Sequence, residues 1–296
     1  MKRLNQGLQE RVPKIIYQLR IQATREEALN LVRAVLLSVG FSDTDLVNLE
    51  FAKTPAIELF DEHAQKLSQV EGLFKRLKLS GVKVILRRMT PKDWLTVWKL
   101  RWRPAPLTRR LDVVPVWYKE KYKVKRGRDY ILMDTLMSFG TGLHETTRLM
   151  AQLIENKQGE FSSFLDIGTG TGILGLVALK YGAQEVMGID IGQMSIEAAL
   201  HNMKVNRLHF NVKKADIKTY RSSQKYDFVA ANLVTNDLIT HAKKIISFVK
   251  NNGYLAVSGI SLDNVNKFEK AFAGFSLECV QKCEGQQWAC FLYRLI

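Results

Sequence analysis

The fold is decided by the segment FLDIGTGTGIL at residues 164–174, followed by an apolar stretch and then by VMGIDI at residues 186–191. We interpret this order as a buried strand, a tight glycine turn, a helix and a second strand that ends in a carboxylate. A doubly wound α/β sheet binds a nucleoside with this arrangement. The two segments therefore predict a site for a ligand that carries adenosine.

The turn and the second strand supply the contacts that we expect at this site. The loop residues assigned to binding are Gly168, Thr169, Gly170 and Gly172. Glycines let backbone N–H groups approach a ligand closely. Asp190 lies where an acid accepts both ribose hydroxyls, and Ile191 follows it directly. We assign both of these residues to the ligand.

Two cofactors compete for this loop. Residues 170–175, GTGILG, also satisfy the dinucleotide pattern G-x-G-x-x-G, which taken alone is a weak signal. Asp166 stands two positions before the first glycine, and a carboxylate there suits a cationic ligand end such as a sulfonium amino acid. It would oppose a pyrophosphate on the following helix N-terminus. The sequence therefore favours S-adenosylmethionine over a nicotinamide dinucleotide.

The composition is that of a globular protein with room for two domains. The 296 residues are 46% hydrophobic and 25% charged, which allows a sizeable core in each domain. The basic start lacks the apolar run of a signal peptide, and no apolar stretch has the length of a membrane span. We therefore expect a cytoplasmic protein with no membrane partner. The three cysteines match no common zinc pattern, so we expect them to be reduced.

The net charge of +15 is concentrated in the first part of the chain. Residues 1–130 contain 27 lysines and arginines against 14 acidic residues, whereas residues 131–296 contain 17 against 15. The basic residues are densest between Lys99 and Arg128, where tryptophans and tyrosines lie among them. Such a run is usually a solvated surface, but the mixture is also compatible with contact to RNA or to a ribonucleoprotein partner through salt-sensitive attraction to phosphates.

Residues 1–90 predict a ferredoxin-like α+β domain. The expected elements are a strand at Lys14–Ala23, a helix at Arg25–Val39 capped by Thr24, strands at Leu46–Ala52 and Ile57–Phe60, a helix at His63–Leu79 and a strand at Val82–Met89. The order β-α-β-β-α-β is that of the split βαβ unit. Residues 91–130 then predict a basic linker rich in tryptophan and proline, with a helix at Pro91–Trp102 and a strand at Leu111–Val116.

Residues 131–296 alternate between strand and helix patterns and predict the ligand-binding domain. The expected strands are Ser163–Ile167, Glu185–Asp190, Val212–Asp216, Asp227–Leu233, Tyr254–Gly259, Phe275–Lys282 and Trp288–Leu295. The last two form a hairpin, so five parallel strands are closed by a reversed last strand. This is the Rossmann-like sheet of class I methyltransferases rather than a symmetric dinucleotide fold, so the pattern again favours S-adenosylmethionine.

A second candidate segment, SFGTGLHETT at residues 138–147, precedes the glycine loop. Flexible glycines beside paired threonines at a helix N-terminus suit contact with the amino-acid end of a ligand. The residues assigned to this role are Thr141, His144, Thr146 and Thr147. Either of the paired threonines would equally cap the helix expected at Arg148–Glu155. The histidine has no second histidine at ligand spacing, so we expect no metal.

Residues 139–147 resemble the F-G-T-G-x-H-x-T-T signature of the PrmA family, the methyltransferases of the eleventh protein of the large ribosomal subunit. The resemblance continues through residues 166–172, 188–191, 231–233 and 258–260, and it spans nearly the whole chain. It implies methylation of lysine side chains and an N-terminal amine of that ribosomal protein by S-adenosylmethionine, with the first domain binding the substrate. The residues that match the family's cofactor contacts are Thr147, Gly168, Asp190 and Asn232.

The reaction itself asks for positioning rather than for a strong base. The Asn232 amide oxygen, at the end of the fourth expected strand, would orient an acceptor amine with help from the Leu233 carbonyl. The nearby sulfonium charge lowers the pKa of that amine. Asp216, at the end of the third expected strand, is our candidate for the adenine amino group. Glu145 stands where the family commonly has proline, a difference that concerns the substrate side.

Three other functions stay open at this point. A methyltransferase of RNA or of another protein would use the same cofactor site, and the basic first part of the chain motivates it. A ribosome-binding protein without catalytic activity would retain the fold. A nicotinamide-dependent oxidoreductase would use the dinucleotide pattern of the same loop.

Overall fold

The computed structural model describes residues 16–41, 46–48, 54–61, 63–89, 102–134, 142 and 144–296. It divides into two compact units, Met1–Trp102 and Arg103–Ile296. Most of the expected helix at Pro91–Trp102, the second half of the expected strand at Leu46–Ala52 and the candidate residue Thr141 lie outside the described residues. The domain limits at residues 90 and 130 stay a prediction.

Among its described residues, the first unit has two helices and a four-stranded antiparallel sheet. Its elements are β1 (Ile16–Ala23), α1 (Glu26–Ser38), β2 (Val47–Asn48), β3 (Ala56–Asp61), α2 (Ala64–Leu77) and β4 (Val82–Met89). The strand order is β2-β3-β1-β4. Leu19 and Ile21 of β1 are buried in one core with Val32 and Leu36 of α1 and Leu67 of α2. This is the ferredoxin-like unit that the sequence predicts.

Helix α1 corrects one expectation. Arg25, not Thr24, is at the N-cap, and its side chain makes no cap hydrogen bond. The Thr24 N–H donates to the Gly81 carbonyl at 2.9 Å, which ties this residue to the turn before β4 instead. Gly40 has a φ of +91° just after the helix, where a left-handed residue commonly ends it.

The described residues of the second unit form a seven-stranded sheet with flanking helices and a smaller three-stranded sheet. Its elements are β5 (Ala105–Pro106), β6 (Leu111–Pro115), β7 (Asp129–Met133), α3 (Glu145–Asn156), β8 (Ser163–Ile167), α4 (Ile173–Lys180), β9 (Glu185–Asp190), α5 (Gln193–Asn206), β10 (Asn211–Lys214), β11 (Tyr226–Asn232), α6 (Thr235–Thr240), α7 (Ala242–Ile246), β12 (Val249–Ser261), α8 (Val265–Phe272), β13 (Leu277–Glu284) and β14 (Trp288–Leu295). None of the helices in the described part of the chain is long and apolar enough to span a membrane.

The large sheet has the order β10-β9-β8-β11-β12-β14-β13. The five strands from β8 to β12 are parallel to one another, and β14 runs antiparallel between β12 and β13. This confirms the class I methyltransferase sheet with its reversed last strand. The strand order reverses direction between β8 and β11, and doubly wound sheets bind ligands in the crevice at the carboxyl ends of such a strand pair.

The centre of this sheet explains why its strands read as continuous apolar runs. Phe164 and Leu165 of β8 and Val229 and Ala230 of β11 are all fully buried, because the strands are covered on both faces. The carboxyl ends of β8 and β11 therefore emerge from a rigid core. Side chains placed there have little freedom to move.

The small sheet of β5, β6 and β7 belongs to the second unit, although much of it falls within the expected linker. Two asparagines of α5 hold β7. Asn206 accepts from the Leu132 N–H at 2.8 Å and donates to the Leu132 carbonyl at 2.7 Å, and Asn202 accepts from the Asp134 N–H at 2.8 Å. These bonds satisfy backbone groups at the carboxyl end of β7 and hold that end against the helix.

Candidate active site

The glycine loop joins β8 to α4 and requires glycine at three positions. Gly168, Gly170 and Gly172 have φ angles of +73°, +52° and +81°, which residues with side chains rarely adopt. A Cβ atom at Gly168 would lie 2.7 Å from Cδ2 of Leu233. The Gly168 N–H donates to the Ile189 carbonyl at 2.9 Å, which ties the loop to the end of β9. The loop is therefore a narrow backbone cradle between two strands.

Asp190 ends β9, and backbone N–H groups orient it. Its Oδ2 accepts from the Gly170 N–H at 2.9 Å, and its Oδ1 accepts from the Gly192 N–H at 2.7 Å. Each carboxylate oxygen has a second lone pair, so each can still accept a hydroxyl. Ile191, the next residue, is 69% exposed. An oriented acid beside an exposed apolar side chain fits the ribose and the base of a nucleoside.

Asp216 lies close to Asp190, because the Ala215 N–H donates to the Asp190 carbonyl at 2.8 Å. Strand β10 ends at Lys214, two residues earlier than the sequence indicates. The Oδ1 of Asp216 accepts from the Lys218 N–H at 2.8 Å, so this side chain closes the turn after the strand. Its contact with adenine stays a prediction.

Asp166, in β8, is 1% exposed and braces the loop. Its Oδ2 accepts from the Thr169 hydroxyl at 2.7 Å. Burial raises the pKa of Asp166 to about 7, against the lowering effect of the Thr169 hydrogen bond, and the neighbouring Asp190 raises it further. A carboxyl group with this pKa is partly protonated at neutral pH, and a cation placed beside it would favour its ionised form.

A pocket lies between the glycine loop and the end of β11. Its lining residues are Thr147, Gly168, Thr169, Gly170, Ile173, Leu174 and Asn232. The structure thus brings together candidate residues from α3, from the loop and from β11. Asp166, Gly172 and Asp190 are connected to this lining through their hydrogen bonds with Thr169 and Gly170.

Helix α3 starts at Glu145, three residues earlier than predicted, and His144 is its N-cap. The Nδ1 atom of His144 accepts from the Thr146 N–H at 3.4 Å and lies 2.8 Å from the Thr146 Oγ1. Thr146 and Thr147 are 2% and 1% exposed, and the Asn232 Nδ2 donates to the Thr146 hydroxyl at 3.2 Å. The N-cap is therefore His144, and neither Thr146 nor Thr147 caps the helix. Burial lowers the pKa of His144.

The last hairpin brings two contacts to this place that the sequence analysis missed. The Trp288 ring lies 5.6 Å from the His144 ring, measured between centroids. The Glu145 carboxylate accepts from the Gln286 N–H through Oε1 and from the Gln287 N–H at 3.1 Å through Oε2. The only signal in the sequence was the acid at a position where the family commonly has proline. The turn between β13 and β14 is thereby bound to the start of α3.

Gly259 of β12 sets the position of the Leu233 carbonyl, which is the other predicted catalytic group. It has a φ of +90°, and a Cβ atom there would lie 2.0 Å from the Leu233 carbonyl oxygen. The Leu233 N–H donates to the Ser258 carbonyl at 3.1 Å. In the sequence, residues 258–260 were included in the family resemblance but were assigned no role.

Comparison with known proteins identifies the family. The family model described as Ribosomal protein L11 methyltransferase (PrmA) matches residues 5–295. The chain belongs to the PrmA family. This confirms the resemblance seen in the sequence, and the protein is accordingly a methyltransferase rather than an oxidoreductase.

Named relatives and a solved structure agree with the PrmA model. The chain is 28% identical over 305 residues to the ribosomal protein L11 methyltransferase of Acetivibrio thermocellus, covering 92% of this chain and 96% of the relative. It is 31% identical over 245 residues to that of Lactococcus lactis subsp. lactis, covering 81% and 75%. The crystal structure of ribosomal protein L11 methylase from Lactobacillus delbrueckii subsp. bulgaricus matches with a TM-score of 0.60 and 29% identity, over 65% of this chain and 98% of that one.

Proposed function

We propose that this chain transfers methyl groups from S-adenosylmethionine to amino groups of ribosomal protein L11, on lysine side chains, the N-terminus or both. Membership in the PrmA family supports the substrate. The observation that carries the reaction is the pocket in which Asn232 faces the glycine loop at the point where the strand order reverses. A donor in the loop and an acceptor amine at Asn232 would meet there.

The described residues fit the donor. Asp190 would hold the two ribose hydroxyls, the exposed Ile191 would cover one face of the adenine, and Asp216 would accept from the adenine amino group. Thr147 and the ionised Asp166 would serve the positively charged amino-acid end of the donor. When bound, S-adenosylmethionine supplies a methyl group that its sulfonium already activates.

The acceptor amine is positioned by two oxygen atoms. The Asn232 Oδ1 and the Leu233 carbonyl accept its N–H groups and direct its lone pair along the line of transfer. The amine would lose its proton to solvent before transfer, which the nearby positive charge of the donor assists. Its lone pair would then bond to the methyl carbon as the carbon–sulfur bond breaks and leaves the sulfur uncharged. Since the methyl group is already activated, we propose that no metal takes part. We also propose that the enzyme works in the cytoplasm, because its proposed substrate is a ribosomal protein.

The experiment is methyl transfer from tritiated S-adenosylmethionine to unmethylated L11 and, separately, to ribosomal RNA. We expect label on L11, and lysine and N-terminal methylation on mapping by mass spectrometry. Asn232→Ala should lower kcat on the order of a hundredfold while the Kd for the donor stays within about threefold. Label on RNA alone would mean that RNA, and not L11, is the substrate. Donor binding without any transfer would favour the ribosome-binding alternative.

Contact with ribosomal RNA is a separate proposal that rests on charge. Within the described residues 102–134, the exposed basic side chains include Lys119, Lys121, Lys123, Lys125 and Arg126. One acidic residue, Glu120, lies among them. Exposed cations at this density attract phosphates with a strong dependence on salt. The surface would hold the enzyme near the ribosomal component that carries its substrate.

Fluorescence anisotropy with a labelled ribosomal RNA fragment at several salt concentrations tests this contact. Replacing Lys121, Lys123 and Lys125 by serine should weaken binding and reduce the slope of log K against log salt by roughly one unit or more. The matched control replaces three exposed lysines elsewhere, Lys218, Lys225 and Lys270. Equal losses of RNA affinity in both triple variants would mean that binding depends on net charge and not on this surface.

A further inference from the structure

Three side chains form a connected row of hydrogen bonds at the acceptor side of the pocket. The Asn232 Nδ2 donates to the Thr146 Oγ1 at 3.2 Å, and that oxygen lies 2.8 Å from the His144 Nδ1. Thr146 is 2% exposed, so water does not compete freely for its hydroxyl. The row joins the end of β11 to the first turn of α3.

The hydrogen bond from the Thr146 N–H indicates how the donors and acceptors in this row are arranged. The His144 Nδ1 accepts from the Thr146 N–H at 3.4 Å, and a backbone N–H can only donate. Nδ1 therefore carries a lone pair, and the Thr146 hydroxyl, 2.8 Å away, donates a hydrogen bond to the same lone pair. The hydroxyl oxygen is then left to accept from the Asn232 amide.

This arrangement determines which way the Asn232 amide points. If the amide were rotated by 180°, its oxygen would face the Thr146 oxygen, whose hydrogen already bonds to His144. Two buried hydrogen-bond acceptors would then face each other. A buried polar group without a matching partner costs about 1–3 kcal/mol. The observed orientation keeps Nδ2 on Thr146 and turns Oδ1 away from it.

We propose that His144 and Thr146 are positioning residues that fix the Asn232 amide with its oxygen toward the acceptor amine. The inference rests on the proposed function, and it assigns both residues to the acceptor, where the sequence analysis assigned them to the donor. Thr147 lines the pocket beside the glycine loop and keeps the role of donor contact. Adjacent residues at the start of α3 thus serve opposite sides of the reaction.

The surroundings of His144 hold the row in place. The Trp288 ring packs 5.6 Å from the imidazole, and Glu145 binds the turn that precedes Trp288 through the Gln286 and Gln287 N–H groups. The imidazole is therefore confined between β14 and Thr146. This confinement limits the directions from which Nδ1 can accept a hydrogen bond.

The test is a double-mutant cycle in the full-length protein with L11 as acceptor. Thr146→Val keeps the shape of the side chain and removes the hydroxyl, so the Asn232 amide is free to rotate. We expect kcat to fall on the order of tenfold or more, with the Kd for the donor changed less than about twofold. Thr146→Ser retains a hydroxyl and should recover most of the activity. In an Asn232→Ala background, Thr146→Val should have almost no further effect on kcat.

Two controls separate positioning from stability. Thr108 is 4% exposed and donates to Glu155 at 2.9 Å, away from the pocket lining. Thr108→Val should lower the thermal midpoint without lowering kcat at 25 °C. His144→Phe keeps a ring beside Trp288 and removes Nδ1, and it should lower kcat as Thr146→Val does. This second variant decides the matter if Thr146→Val fails to fold.

The outcomes are distinct. If the wild-type protein binds the donor and does not methylate L11, the proposed function fails. If the wild-type protein methylates L11 and Thr146→Val lowers kcat equally with and without Asn232, the positioning role is overturned. A loss of donor affinity that matches the loss of kcat would return Thr146 to the donor side and would likewise overturn it.

Discussion

Asp166 gives a pH-dependent prediction for donor binding. Burial raises its pKa to about 7, and a cation beside it would lower that pKa by favouring the charged form. Donor binding should then release a proton, so the affinity should rise between about pH 6 and pH 8 and level off above that range. Asp166→Asn should remove this slope. Calorimetry with S-adenosylhomocysteine in buffers of different ionisation enthalpy measures the released proton, and its absence would limit Asp166 to bracing the loop.

Glu155 gives a prediction for stability rather than for activity. Burial would raise its pKa, but hydrogen bonds from Tyr181, Thr108 and the Arg109 and Arg110 N–H groups lower it to about 2. Its ionised form therefore stabilises the fold above the ordinary carboxyl pKa, and that stabilisation is lost as the pH falls from about 4.5 to 2. The contribution is about 3 kcal/mol.

Urea unfolding of the wild-type protein and of Glu155→Gln at pH 6 and pH 3 checks this prediction. The wild-type protein should lose more stability than the variant between these two pH values. Parallel losses in the two proteins would place the acid sensitivity in other carboxyl groups.

The candidate site was partly readable at the residue scale. The glycine loop, Asp190 and Asn232 were predicted from local motifs because each lies at the end of a strand or directly after one. The bond between Thr146 and Asn232 joins residues 86 positions apart, and no local pattern indicates it. Trp288 was missed for the same reason, since the pairing of β14 with β12 is what places it near His144.

At the scale of elements, Glu145 is expected to stabilise the packing of the last hairpin on α3. Its carboxylate binds two backbone N–H groups of the turn at Gln286 and Gln287. Hydrogen bonds to a charged group contribute about 1.5–3 kcal/mol each. Because the site is partly exposed, we expect Glu145→Ala to lower the free energy of unfolding by about 2 kcal/mol.

The matched control for that variant is Glu197→Ala. Glu197 is exposed on α5, and its carboxylate accepts from the Gln193 side chain at 3.2 Å. Its replacement should change stability by less than about 0.5 kcal/mol. Similar losses in both variants would mean that the hairpin does not depend on Glu145.

Elements were predicted best where one pattern dominates. The expected bounds of β4, β8, β9 and β14 coincide with the structure, because each is a short apolar or alternating run with clear ends. Strand β12 starts five residues earlier than expected, at Val249. Its Asn251-Asn252-Gly253 segment indicates a turn, and Asn252 has a φ of +63°, yet strand pairing with β11 continues on both sides of it.

At the scale of the whole molecule, the two units have separate hydrophobic cores. The donor residues all belong to the second unit, so a donor analogue should stabilise that unit alone. At a hundred times its Kd, S-adenosylhomocysteine should add about 2.7 kcal/mol, which raises the midpoint of a unit of this size by roughly 5–11 °C. Differential scanning calorimetry should show one transition that shifts and one that stays. A common shift of the whole unfolding curve would mean that the units unfold as one.

The close contact between Gly259 and Leu233 leaves little room for any displacement of the Leu233 carbonyl. A single methyl group added at position 259 cannot fit beside a backbone oxygen, so Gly259→Ala would push the Leu233 carbonyl away from the amine that it guides. We expect a well-folded enzyme that still binds its donor but transfers slowly, measured as a lower kcat with an unchanged donor Kd. The length of one carbon–carbon bond on β12 would then separate a working catalyst from a protein that merely holds its cofactor.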